Sequence, residues 1–139
     1  MLAHLPVDPE HGVPVPFVCG DGRAPYSLAT VVRRRAVQCA LSRICALCGR
    51  SLGNPVALVG SVPDAEAWAF RVPPVHLGCA DVVVRQHLAL GVPVLGYPTP
   101  PGEWVVVETG GFELERPQAR GGHLTFRPNA VVRERRVRS

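Results

Sequence analysis

Lysine is absent from the chain: all 15 basic residues are arginine, set against 11 acids for a formal net charge of +4. Isoleucine occurs once, at Ile44, while Val, Leu, Ala, Gly and Pro are plentiful. Codons of a GC-rich genome favour that pattern, so part of the basic balance reflects codon usage. A nucleic-acid partner then needs charge clustered on one surface, not only a positive total. The chain has no run of 18 apolar residues and no basic segment followed by an apolar stretch. Neither a transmembrane helix nor a signal peptide is expected, which makes a cytoplasmic location without a membrane partner the reading. An even cysteine count is lacking too. Five cysteines in a reducing compartment read as metal ligands rather than a disulfide framework.

What is present fits one domain over residues 1–139, with 47% apolar residues and enough glycine and proline (14 and 15) to imply short elements joined by many turns. The chemistry is concentrated in two clusters, Cys45-Ala46-Leu47-Cys48-Gly49 and Pro73-Pro74-Val75-His76-Leu77-Gly78-Cys79-Ala80. Each offers two metal donors at x2 spacing. Cys-x2-Cys-Gly suits a tight knuckle, and His-x2-Cys suits the first turn of a helix, where residues three apart share a face. Together Cys45, Cys48, His76 and Cys79 make a four-donor set of the kind that closes around one structural Zn2+, whereas catalytic zinc keeps a position open. A thioredoxin-like redox pair would place the first cysteine at a helix N-terminus in a βαβ unit, but here the pair follows a predicted helix.

That helix is expected from Ser27, as cap, to about Arg43, with Leu28, Val31, Val32, Arg35, Ala36, Cys39 and Ile44 near a 3.6-residue stripe. Cys39 on the stripe reads as a small buried hydrophobe. Before it, Met1–Gly12 reads as a loose arm carrying His4 and His11, Val13–Cys19 as an extended edge, and Gly20-Asp21-Gly22 as a turn. After the knuckle, Pro55–Val59 and Trp68–Val72 are predicted to pair as a hairpin, followed by a helix from about His76 to Leu90. His87, eight residues past Cys79, lies about 12 Å along that helix. It falls outside the tetrahedron and reads as a core or partly exposed histidine. Gly91–Gly102 reads as a proline-rich linker or wrapping loop. Trp104–Glu108 and Phe112–Glu115 flank Thr109-Gly110-Gly111 as a second hairpin, with a third strand expected at Leu124–Phe126. Val131–Ser139, with Arg133, Arg135, Arg136 and Arg138, reads as a frayed tail more than a binding arm. The expected fold is a small α+β unit with a zinc-binding core over 13–95 and an extension over 96–139.

Knuckle, hairpin and helix in that order resemble a treble-clef zinc finger. More closely, Arg43-Ile44-Cys45-Ala46-Leu47-Cys48-Gly49-Arg50-Ser51-Leu52-Gly53 and the Pro-Pro-Val-His-Leu-Gly-Cys-Ala block resemble a group of actinobacterial and phage proteins of unassigned activity. The resemblance spans about Val13–Leu95. Members often carry a Cys-Pro pair one helix beyond the last ligand; here His87-Leu88 stands there. Treble clefs also underlie HNH-type nucleases, but Val56–Val72 holds no histidine to act as general base.

The sequence therefore points to a structural-zinc interaction module. A nucleic-acid partner would engage Arg33, Arg34, Arg35, Arg43 and Arg50; a protein partner would engage an apolar patch from the proline-rich segment and the Trp104–Leu114 hairpin. The alternative is a small enzyme or accessory protein, nuclease-like or of specialised metabolism. Its site would lie apart from the zinc, drawn from Cys19, His87, His123, Glu66, Glu103 and Glu108, and would need a cavity that joins two of them.

Overall fold

The computed structural model describes residues 2–20 and 27–138. The turn expected at Gly20–Gly22 falls largely outside them. Phe17–Cys19 forms a short 3-10 turn and Arg33–Ser42 the first helix, α1. α1 starts five residues later than the periodicity of its sequence suggests. The Ser27 hydroxyl accepts the Ala29 N–H (3.1 Å), which makes a local turn instead of a cap. The backbone there bonds across the fold: Leu28 and Ala29 carbonyls accept from Leu95 and Gly96, and the Val32 N–H donates to the Val18 carbonyl. Backbone groups already committed across the fold cannot close helical turns. At the other end Arg43 takes the left-handed conformation (φ 52°) and ends α1 two residues before Cys45.

β1 (Val56–Ser61) is the first strand, but Trp68–Val72 is not its partner. Ser61 Oγ accepts the Asp64 N–H (3.2 Å) and, with Pro63 in the first turn, starts a five-residue helix α2 (Val62–Glu66). This is an N-cap followed by an early proline, favourable for a helix start. The predicted hairpin between knuckle and helix is therefore replaced. Phe70 instead exchanges two backbone hydrogen bonds with Phe126. The second long helix, α3 (Leu77–Leu90), lies where it is expected and ends at Gly91.

The remaining strands are β2 (Glu103–Thr109), β3 (Phe112–Glu115), β4 (Thr125–Pro128) and β5 (Val131–Arg138). They form two antiparallel sheets, in the orders β1-β2-β5 and β3-β4. β2 and β3 do not pair with each other, contrary to the hairpin expected around Gly110. The buried Thr109 hydroxyl donates to the Gly111 carbonyl (2.7 Å) and accepts N–H groups of Gly111 and Ala130, which turns the chain from one sheet into the other. The tail reading of Val131–Ser139 is likewise overturned. Val137 is buried, Arg135 pairs with Asp81 of α3, and Arg136 and Arg138 approach Glu103 at 3.7 and 3.5 Å. Acids at matching positions give the arginine-rich strand a side to lie on.

One core joins the knuckle, β1, β2, α3 and the segment after α3, with Trp104, Phe70, Phe126, Leu47 and Leu58 among its largest buried side chains. Val94, Leu95 and Tyr97 are buried, so Gly91–Gly102 wraps the core rather than bridging two units. Gly60 is confined here: a Cβ would lie 2.8 Å from the Phe70 ring and 3.0 Å from the Tyr97 hydroxyl. No helix among the described residues is long and apolar enough to cross a membrane.

Candidate metal centre

The knuckle is built by backbone hydrogen bonds before any side chain is considered. The Gly49 N–H closes on the Cys45 carbonyl (2.9 Å), Cys45 donates to Arg50 (2.8 Å), and Ala46 donates to Pro74 (3.1 Å). The last bond ties the knuckle to the segment that carries the other two donors. Gly49 has φ 78°, and a Cβ there would fall 2.6 Å from the Phe17 ring, so the position excludes any side chain on two grounds. His76 caps α3 in extended conformation (φ −67°, ψ 143°), and Cys79 follows in its first turn.

These elements bring Cys45, Cys48, His76 and Cys79 together with their donor atoms all within 4.8 Å of one another. His76 Nδ1 lies 3.3 Å from Cys48 Sγ and 3.7 Å from Cys79 Sγ. A tetrahedral ion with M–S near 2.3 Å and M–N near 2.0 Å has ligand-to-ligand edges of roughly 3.5–3.8 Å. The cluster thus has the dimensions to hold one metal ion.

Its surroundings fit the same role. His76 Nε2 lies 2.8 Å from the Ser51 carbonyl; it donates there, which assigns the proton to Nε2 and leaves the Nδ1 lone pair facing the thiols. Cys45 Sγ accepts three backbone N–H groups, from Leu47 and Cys48 at 3.4 Å and from His76 at 3.3 Å. Such bonds favour the thiolate. Burial nonetheless pushes the Cys45 thiol up. Burial, and then repulsion from Cys45 and Cys48, push Cys79 up further. Neighbouring buried thiols cannot all ionise unaided, and a divalent cation reverses that balance.

His4 was not among the sequence-derived metal-site residues, yet its Nε2 lies 2.6 Å from the Cys48 carbonyl and its Nδ1 3.4 Å from Arg50 Nη2. The arm is strapped over the knuckle. Nothing in the local sequence signals this, because the contact spans 44 residues. Cys39 and Cys19 stand outside the cluster; burial raises each to about 12, which suits inert core thiols.

The five arginines singled out by sequence divide. Arg35 turns inward, donating to the Phe17 carbonyl (2.8 Å) with its guanidinium 4.3 Å above the Phe17 ring. Arg33, Arg34, Arg43 and Arg50 are exposed and have no carboxylate partner among the described residues. Arg43 and Arg50 flank the knuckle, where Arg43 also donates to the Gly53 carbonyl (3.0 Å).

The candidate catalytic groups stay dispersed. His87 is buried in α3, Glu66 is exposed, Glu103 faces β5 arginines, and Glu108 sits opposite Arg133. His123 lines one cavity and Glu108 another, each without a second member of the set. No protein-family model, curated protein or solved structure matches the chain.

Proposed function

We propose that the protein is an interaction module in which one structural Zn2+, held by Cys45, Cys48, His76 and Cys79, fixes a surface that binds nucleic acid. The observation that carries the metal reading is the closed donor set: three sulfurs and one imidazole nitrogen within 4.8 Å. Soft thiolates select zinc over magnesium or calcium, and four protein donors leave no place for a reacting water. A treble-clef-like origin is compatible with the order of knuckle and helix, with β1 recruited into a larger sheet.

The distribution of charge and apolar surface favours a nucleic-acid partner over a protein one. The apolar patch needed for a protein partner is consumed by the core: Val94, Leu95, Tyr97 and Trp104 are buried, and Phe112 and Leu114 are partly buried against the same core. Positive charge without acidic partners runs along α1 and the knuckle, whereas Arg135, Arg136 and Arg138 are matched by acids. Phosphate contacts need unmatched arginines.

Fluorescence anisotropy with a labelled duplex, titrated across salt concentration, tests this. If Arg33, Arg34, Arg43 and Arg50 each engage one phosphate, log K falls with log salt at a slope of about −3.6. Arg33→Gln with Arg34→Gln lowers the slope to about half, while Arg136→Gln with Arg138→Gln leaves it unchanged. A slope near zero, or equal slopes for both double variants, refutes the partner assignment.

A further inference from the structure

A cavity of about 190 Å³ opens beside α1, with Arg33, Arg71 and His123 in its wall and no acidic residue among the described ones lining it. It lies on residues that play no part in the metal cluster. We infer that it binds a small organic anion, an oxyanion carried on a compact apolar body.

Arg71 is the fixed element. Its Nε and Nη2 donate to Asp64 (2.8 and 3.2 Å), its Nη1 donates to the Gly96 carbonyl (3.1 Å), and its guanidinium lies 4.1 Å over the Tyr97 ring. Of the five N–H donors of an arginine, these contacts use three. Asp64 also accepts the Tyr97 hydroxyl (2.6 Å), so its charge is divided between two donors. The guanidinium is held rigid with donors to spare, as a preorganised oxyanion site requires.

Arg33 supplies the unmatched charge. It is exposed and makes no ion pair among the described residues. His123 Nδ1 bonds the Leu124 carbonyl (3.0 Å), and Nε2 has no hydrogen-bond partner among the described residues. The rest of the wall is apolar or lacks side chains: Val31, Ala36 and Leu124, with the Gly121-Gly122 backbone. One unmatched cation, Arg33, and a fixed guanidinium with spare N–H donors, Arg71, against an apolar wall select for charge at one end of the ligand and hydrocarbon at the other. At roughly 30 Å³ per water the volume equals about six waters, enough for a single ring bearing one anionic group. Arg33 stands at the edge shared with the proposed duplex surface, whereas Arg71, His123 and the apolar wall belong to the cavity alone.

The test is a titration of the full-length, metal-loaded protein followed by two-dimensional amide NMR, with benzoate, phenyl phosphate and the neutral analogue benzyl alcohol. Benzoate or phenyl phosphate is expected to shift the amides of Arg33, Gly96, Gly121 and Gly122, the stronger of the two identifying the oxyanion. Arg33→Gln, an exposed substitution, weakens that binding about tenfold or more, and Arg85→Gln on α3 leaves it unchanged. Benzyl alcohol binding as tightly as the anions, equal affinity in Arg33→Gln, shifts confined to other surfaces, or no shifts up to about 10 mM ligand overturns the assignment.

Discussion

His87→Leu should make the protein more resistant to acid, by an amount that the burial of His87 fixes. His87 is 2% exposed and neither ring nitrogen has a hydrogen-bond partner among the described residues. Burial lowers its pKa from 6.5 to about 4. The sign follows from which state binds the proton. Between these two values the unfolded chain protonates and the folded chain does not, so stability present above 6.5 is lost as pH falls toward 4. With 1.36 kcal/mol per unit, the loss is about 2 kcal/mol at pH 5 and about 3 kcal/mol at pH 4. Leucine has similar volume and nothing to protonate. At neutral pH the variant should be at least as stable, since two unpartnered polar atoms have been replaced by apolar ones. Urea melts of both proteins from pH 7.5 to 4.5 give the difference curve, with zinc content measured at each pH so that metal loss is common to both. A stability difference that stays flat over this range refutes the argument. It would mean that the imidazole is hydrated or partnered in solution.

Replacing a donor, Cys48→Ser, should reduce bound zinc below one equivalent and abolish cooperative melting, read by elemental mass spectrometry and calorimetry. The scale is set by zinc-finger peptides, where metal binding contributes roughly 10–16 kcal/mol. An unchanged melt would exclude a structural metal. Gly49→Ala tests the knuckle itself. It forces a left-handed backbone on alanine and drives Cβ into the Phe17 ring at 2.6 Å, for a cost of about 2–3 kcal/mol in denaturant melts; a loss under about 0.5 kcal/mol would show that the turn relaxes freely.

The candidate metal centre was legible because its determinants are local. Cys45 and Cys48, then His76 and Cys79, sit within one turn of each other, and each pair's geometry follows from the turn it occupies. α3 was legible for the same reason. The strand partners were not. Val56–Ser61 reads as a strand whichever neighbour it takes, and Trp68–Val72 is nearer in sequence than Glu103–Thr109. The decisive features were small: the Ser61 cap with Pro63, which converts the expected loop into α2, and the Thr109 hydroxyl, which opens the apparent hairpin at Gly110. Val131–Arg138 was misread because its arginines suggest solvent until Asp81 and Glu103 are placed beside them. The inward turn of Arg35 and the strap through His4 depend on Phe17 and Cys48, partners that no periodicity identifies.

The pairing of β1 with β2 has a consequence for the order in which the protein is made. Every knuckle and α3 ligand leaves the ribosome before the first residue of β2, so the metal cluster can close while the sheet is still incomplete. β1, buried along nearly all its length, must then wait for a partner roughly forty residues further on before one side of its backbone is satisfied. During that interval the nascent chain carries an open, apolar strand edge, the feature most prone to pairing with a neighbouring copy. A donor cluster that closes early cannot cover that edge; only the arrival of Glu103–Thr109 does.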